Sequence, residues 1–324
     1  MKNKKWLKIL LIVLVIGIIV SGSFGIRYLA LQAKRNSKGI VPTDNQLENS
    51  TKYKRVIIIG VDGAGNHFKD IETPNYDKLL DGGIINYEAM TQFEADSAPN
   101  WGAMLHGVKY LKHKVHNSDS GEKPYTNDKY PSIFKIAHES NQEINGLSIS
   151  NWPNINFGII ENLDYVTKIS TGNDDKVIEE FKNSFISVDP EITFLCLDDV
   201  DAAGHRYGVG KEYYDAIKYS DERIGQIYDF LEENNKIDGT LFIVTADHGH
   251  KKDGGHGFTF PIENKEIITT TIAVNGNLGN INTNGKMGKA ITHDVASIAL
   301  YALGVKQPSN FDGKVPFNIF KDLN

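Results

Sequence analysis

RVIIIGVDG, residues 55–63, is an apolar run rich in β-branched residues that stops on an aspartate. A strand with one face in water alternates apolar with polar residues. An unbroken run is buried on both faces, as in the middle of a parallel sheet. Two further stretches repeat the pattern: TFLCLDDVDAAGH (193–205) is apolar to Leu197 and then turns acidic, and GTLFIVTADHGH (239–250) runs into Asp247 and His248. Between them, KEYYDAIKYSDERIGQIYDFLEEN (211–234) places Ile217, Ile224, Ile227, Tyr228 and Leu231 on one helical face, the pattern of a crossover helix. Short apolar runs alternating with helical patterns from Arg55 onward predict an α/β fold, a mostly parallel sheet with helices on both faces. In such sheets ligands bind beyond the carboxyl ends of the strands, where these runs place their acids and histidines.

The chain has 324 residues, 40% hydrophobic and 23% charged, enough to bury a core without staples. Its single cysteine, Cys196, lies inside TFLCL and reads as a small buried hydrophobe. The first 43 residues hold eight of the 35 basic residues and none of the 41 acidic ones, so the remainder is strongly acidic. Such a domain repels a phosphate backbone, and no nucleic-acid partner is expected. MKNKKWLK is followed by eighteen uncharged residues, Ile9–Ile26, long enough to span a bilayer. Residues 1–35 therefore read as a signal-anchor segment, with a signal peptide cleaved near Ser21 or Ser23 as the alternative. The lysines before the run place the rest of the chain outside the cytoplasm, held at the cell membrane by a single pass or secreted. Residues 36–54 are polar and aperiodic and read as a linker to a catalytic domain over 55–324. No internal repeat is present.

Spacing sharpens the strand-end chemistry. Asp201 and His205 are four apart, so one helical turn points both the same way. Asp247 and His248 are adjacent, and His256 follows inside GGHG, where glycines permit close approach or positive φ. Carboxylates and imidazoles without cysteine suit Zn²⁺, Mn²⁺ or Fe in an open site. Singly, an aspartate after a strand is ordinarily a turn or cap residue and a lone histidine a core or surface one. Together, three Asp and three His (with Asp62 of the first run) need a cation to offset their burial. ADSAPNWGAMLHG (95–107) adds Ser97 at a helix start, where a serine is ordinarily a cap.

In chain order, IIIGVDG, ETPNYDKLLDGG, SAPNW with HGVKYLKHKVHNSD behind it, DDVDAAGHRYG, TADHGHKKDGGHG and THDVASIALYALGVKQPSNFDGK resemble the blocks of the alkaline phosphatase superfamily. The resemblance spans about 55–324 and is greatest to the type I phosphodiesterase/nucleotide pyrophosphatase branch. It implies an alkaline phosphatase-like three-layer sandwich and a metal-dependent hydrolase of phosphate esters, diesters first, with a phosphoserine intermediate. It also implies two divalent ions, zinc first, with manganese or magnesium as alternatives. One would sit on Asp201, His205 and His256; the other on Asp62, Asp247 and His248, with Ser97 as shared ligand and nucleophile. Asn100 is similar to an asparagine of that branch that holds a nonbridging phosphoryl oxygen. No arginine clamp is evident, which favours diesters over the doubly charged monoesters. Trp101 stands where the sulfatase branch has an arginine, which argues against a formylglycine sulfatase. His113, His116 and His250 have no ligand counterpart in the family pattern, and the D-x-x-x-H offset selects Asp201 over Asp198 and Asp199. Rival activities on the same site are a phosphomonoesterase and a transferase that passes the phospho-headgroup to an alcohol. The substrate stays open among a nucleotide, a phospholipid headgroup, a glycerophosphodiester and a cell-wall polymer.

Overall fold

The computed structural model describes residues 36–92, 94–257 and 264–323. The expected anchor over 1–35 lies outside them, and among the described residues no helix is long and apolar enough to cross a membrane. The first half of the chain forms β1 (Gly39–Ile40), α1 (Asp44–Glu48), β2 (Arg55–Val61), α2 (Pro74–Leu79), β3 (Ile84–Met90), α3 (Ser97–His106), α4 (Tyr110–His113), α5 (Asn117–Ser120), α6 (Ile133–Ser140) and β4 (Gly146–Ser150). The second half forms β5 (Val166–Ser170), α7 (Asp174–Val188), β6 (Ile192–Leu197), α8 (Asp199–Tyr207), α9 (Lys211–Glu233), β7 (Thr240–Thr245), α10 (Lys265–Ile268), β8 (Thr269–Gly276), α11 (Asp294–Ala302) and β9 (Val315–Pro316).

Seven strands make one sheet in the order β3-β8-β7-β2-β6-β4-β5. β2, β4, β5, β6 and β7 run parallel, while β8 is antiparallel to both β7 and β3. The expected three-layer α/β/α sandwich is what forms, and the unbroken apolar runs have the reason read from them. On β2, Val56 and Ile58 enter one core with Trp101 of α3, Ile298 of α11 and Phe134 of α6. Ile57, Ile59 and Val61 enter the other with Phe181 of α7 and Ile217 and Ile224 of α9. Alternate residues thus serve opposite faces, and neither face meets water. Cys196 is buried in the first core and unpaired. α9 buries Ile217, Ile224, Ile227 and Leu231 completely, with Tyr228 partly buried beside them.

Residues 37–54 correct the expectation of a linker. Gly39–Ile40 pairs antiparallel with Val315–Pro316, Leu47 and Tyr53 are buried, and α1 carries a capping box from Thr43 and Gln46. Ser37 enters a buried polar pocket at the N-terminal end of α11. There His293 Nε2 lies 2.6 Å from Ser37 Oγ, which in turn donates to Asp294 Oδ1. His293 Nδ1 takes a bond from Gln92 Nε2 at 2.8 Å, so Nε2 carries the proton and the direction of the chain is set. Burial pushes His293 down to about 3 and Asp294 up to about 7. The stretch reads as polar because its strand is two residues long and its anchor is a serine; neither leaves a hydrophobic period.

Ser37→Ala strips the hydroxyl from a buried imidazole and carboxyl. It should lower the unfolding free energy of the chain by roughly 1–3 kcal/mol. Urea titration of the variant beside the parent measures this, and a change near zero would mean that the segment is only loosely seated.

Candidate active site

β2 pairs with β6 in register Val61↔Leu197 and with β7 in register Gly60↔Thr245. Parallel strands so aligned release their chains at one edge, which is why Asp62, Asp198 and Asp247 emerge together. After β6 the chain turns at once into α8, which sets Asp201 and His205 one turn apart. That corner is held from the neighbouring helix: Asp174, first residue of α7, accepts the backbone N–H of Asp198 at 2.9 Å and of Asp199 at 3.0 Å. Arg223 of α9 pairs with Asp175 at 2.8 Å and Asp199 at 2.9 Å. After β7, Gly254, Gly255 and Gly257 all take positive φ, a run that a β-carbon would strain, and they return His256 to the strand ends.

Two clusters result. Ligand atoms of Asp62, Asp247 and His248 lie within 4.8 Å of one another, and so do those of Asp201, His205, His250 and His256. The two adjoin: the rings of His248 and His256 stack with centroids 3.7 Å apart. In each carboxylate one oxygen is tied by protein donors and the other is left toward an imidazole. Asp62 Oδ2 accepts from Trp101 Nε1 at 2.8 Å, and its Oδ1 lies 3.5 Å from His248 Nε2. Asp247 Oδ1 accepts the N–H groups of Gly63 and His248 at 3.0 and 2.9 Å. Its Oδ2 is 3.2 Å from His248 Nε2. Asp201 Oδ1 takes His250 Nε2 at 2.8 Å, and Oδ2 lies 3.4 Å from His205 Nε2. The imidazoles are oriented in the same manner. His248 Nδ1 bonds Gly249 O at 3.3 Å and His256 Nδ1 bonds Ala95 O at 2.9 Å, which leaves both Nε2 lone pairs facing the clusters.

Ser97 is the first residue of α3, after Asp96 at the N-cap, so its side chain does not cap the helix. It is buried, with Oγ 3.2 Å from His248 Nε2 and 3.4 Å from Asp62 Oδ1, inside the first cluster. Every residue expected at a metal site is therefore in the constellation with Ser97. His250, set aside from sequence, joins them: it follows His248 by two residues in an irregular segment, where no period assigns a direction. His113 and His116 stand apart; His113 Nδ1 accepts from Val115 N, and His116 caps α5.

Asn100 requires a correction. Its Oδ1 accepts from Gln92 N at 2.7 Å and Thr292 Oγ1 at 3.1 Å, and its Nδ2 donates to Glu94 O and Asp96 O at 3.0 and 2.9 Å. All four positions of the amide are used, three on the loop before Ser97 and one on Thr292, and none is left for a phosphoryl oxygen. The helix start is equally committed: Ala98 N–H goes to Asn117 Oδ1 at 2.8 Å, Pro99 has no N–H, and Asn100 N bonds Asp96 O. The amide beside Ser97 is that of Asn117, whose Nδ2 has no protein partner among the described residues. Twenty residues separate it from Ser97, so only the fold brings the two together.

Burial raises the Asp62 carboxyl well above the usual range, and Asp247, Asp201 and Asp198 reinforce the rise. Burial likewise pushes Asp247 up to about 7 and holds His248 well below its ordinary value. For Asp201 burial acts upward too, but the hydrogen bond from His250 and the facing imidazoles outweigh it and hold the group low. Asp247 Oδ2 is buried with no hydrogen-bond partner, against an imidazole lone pair. Bare acceptors facing one another in a dry site are what a divalent cation satisfies, and nitrogen and oxygen donors without sulfur fit zinc or manganese.

An α/β/α sandwich with these groups beyond the carboxyl ends of its parallel strands defines an alkaline phosphatase-type protein. The chain belongs to the type I phosphodiesterase / nucleotide pyrophosphatase family, which it matches over residues 56–308. GPI ethanolamine phosphate transferase 1 of Saccharomyces cerevisiae is 32% identical over 149 residues, 40% of this chain and 16% of that protein. The Yarrowia lipolytica counterpart is 32% identical over 144 residues, again 40% and 16%. The aligned part thus spans about a sixth of the length of these relatives. Human ectonucleotide pyrophosphatase / phosphodiesterase 5 has a similar fold, with TM-score 0.68 and 13% identity over 83% of this chain and 99% of that one. The lipoteichoic acid synthase LtaP from Listeria monocytogenes superposes with TM-score 0.60 and 13% identity over 88% of this chain and 79% of that one.

A carboxyl raised from 3.8 to about 7 on folding binds more protons folded than unfolded between those values, so it subtracts stability as pH rises through that window. In metal-free protein Asp247→Asn should therefore gain stability relative to the parent from about pH 4 to about pH 7 and then level off. Added zinc should reverse the order, because only the parent keeps the ligand. Thermal unfolding across pH, with and without zinc, checks both. A pH-independent difference between the two proteins would contradict the burial argument.

Proposed function

We propose that the protein cleaves phosphodiesters through a covalent phosphoseryl intermediate on Ser97, at a site that takes two divalent cations. The observation that carries this is the position of Ser97 Oγ, buried between Asp62 Oδ1 and His248 Nε2. Asp62, Asp247, His248 and Ser97 would hold one cation, and Asp201, His205 and His256 the other, zinc fitting best and manganese or magnesium serving as alternatives. Bound there, the cations supply positive charge that favours the alkoxide of Ser97 and offsets the charge of the phosphoryl oxygens. In the first displacement Ser97 Oγ bonds to phosphorus and the bond to the departing alcohol breaks. In the second, an acceptor oxygen attacks phosphorus in line and the bond to Ser97 breaks. Asn117 contributes an amide donor beside Ser97, where a nonbridging oxygen would lie.

A singly charged diester fits this site better than a monoester dianion, because the described arginines lie elsewhere. Arg223 is held by three aspartates, Arg55 bonds Lys236 O, and Arg206 stacks over its neighbour Tyr207. The acceptor is water in this reading. An alcohol acceptor, which would make the protein a phospho-headgroup transferase, is supported by the sequence relatives named as transferases. The lysines and apolar run of residues 1–35 support a membrane-anchored enzyme whose catalytic unit faces away from the cytoplasm.

Purified full-length chain should turn over bis-p-nitrophenyl phosphate with a higher kcat/KM than p-nitrophenyl phosphate. Chelator should abolish this and added zinc or manganese restore it; full turnover in protein shown metal-free by elemental analysis rules the reading out. Graded glycerol separates the acceptors: a glycerol-phosphoryl product rising with glycerol identifies the transferase.

Ser97→Ala should lower turnover by several orders of magnitude, the scale for lost nucleophiles, with little change in stability because no cap is lost. Asn117→Ala should lower kcat about 10- to 1000-fold, the range for one oxyanion donor. Asn100→Ala should instead destabilise the fold by roughly 1–3 kcal/mol, since it unpairs buried backbone groups. Parallel kinetics and urea titrations of the three variants decide between these roles, and the opposite assignment of the two asparagines would refute the geometry.

A further inference from the structure

Trp101 is fully buried, and nothing in its sequence context sets it apart from a core residue. Its indole N–H, however, donates to Asp62 Oδ2 at 2.8 Å. The ring lies over Gly60, two residues before Asp62 on β2, where a β-carbon would come within 2.4 Å of Cη2. On its other side it meets Phe194 of β6 edge-on, with centroids 5.5 Å apart. Trp101 also follows Ser97 by four residues on α3, one helical turn. A single side chain therefore joins the helix that carries the nucleophile to the strand that carries a ligand.

The bond has a consequence for which oxygen of Asp62 is free. Oδ2 is occupied by the indole, and Oδ1 is the atom that faces Ser97 Oγ and His248 Nε2. We infer that Trp101 is a positioning residue: its N–H reserves Asp62 Oδ2, so that Asp62 offers Oδ1 alone to a cation and holds that oxygen against Ser97. This rests on the two-cation reading above. Without the donor, Oδ2 becomes a second bare oxygen in a dry site and competes for the same ion, which moves Oδ1 away from the nucleophile. A tryptophan that only filled space would have no such effect, because a phenylalanine fills most of the same volume.

The test is zinc binding to metal-stripped full-length parent and Trp101→Phe, followed by calorimetry and competition with a chromogenic chelator. The parent is expected to bind two ions. In the variant one of them should bind about 10- to 100-fold more weakly, the loss typical when the outer partner of a metal ligand is removed. Metal-free thermal stability should fall modestly, because a buried carboxylate oxygen loses its donor, so the zinc affinities are compared under conditions where both proteins are folded; kcat should fall with KM little changed, because alignment rather than substrate binding is impaired. The indole N–H resonance of Trp101 should move when zinc is added to the parent. Gly60→Ala, which forces the ring off its seat, offers a second route to the same affinity loss if the phenylalanine variant does not fold. A parent that binds two ions beside a Trp101→Phe that binds both equally well overturns the inference alone. A parent that binds no divalent cation overturns the two-cation reading and the inference with it.

Discussion

Two buried carboxylates, Asp62 and Asp247, with the partly buried Asp201 beside Asp62, are the constraint on which this molecule turns. Asp62, Asp201 and Asp247 repel, and burial raises the first and last far above an ordinary carboxyl. Parallel pairing of β2, β6 and β7 forces the proximity, because strands in register end together. The protein answers with one pinned oxygen on each: an indole N–H on Asp62, two backbone N–H groups on Asp247, and an imidazole on Asp201. Neutral donors offset part of the charge and fix the rotamers, but they do not cancel it. The remaining oxygens and imidazole lone pairs form a negative hollow, and Ser97 lies within it.

What was legible in the sequence follows from what leaves a pattern. β2, β6 and β7 were readable because burial on both faces leaves each strand an apolar middle with no polar alternation. α9 was readable because one-sided burial leaves a helical period. The strand-end acids and His205 were readable because a strand edge and a helical turn each impose a direction. The remainder depends on contacts between distant residues or on irregular backbone. His250 sits two residues beyond His248 where no regular structure aims its ring. Asn117 reaches the backbone of Ala98, next to Ser97, only through the turn between α4 and α5, whereas Asn100, near in sequence, turns its amide into the preceding loop. Trp101 is indistinguishable from packing until its N–H is seen on Asp62.

Asn100 and the residues bonded to it also share a task, which is to order the segment that leads to Ser97. Asn100 staples the loop before Ser97, and Gln92 extends that staple to His293, which bonds Ser37. A continuous chain of buried polar groups thus runs from the first residues of the compact unit to the first turn of α3. It explains why residues 37–54, which look dispensable by composition, are built into the domain: Ser37 is the partner that the buried imidazole of His293 and the buried carboxyl of Asp294 share.

The same economy bears on the choice between water and alcohol as acceptor. The groups that order Ser97, the asparagine staple and the indole on Asp62, lie in the interior of the fold. In the proposed reaction the first displacement would draw on these interior groups, and the choice of acceptor would fall to groups around them. Serine transfer and its later resolution are separable in such an arrangement: a hydrolase and a transferase can share the interior described here and differ only at the rim. Similarity both to proteins named as phosphodiesterases and to proteins named as transferases fits such a division, since a shared fold does not fix the acceptor.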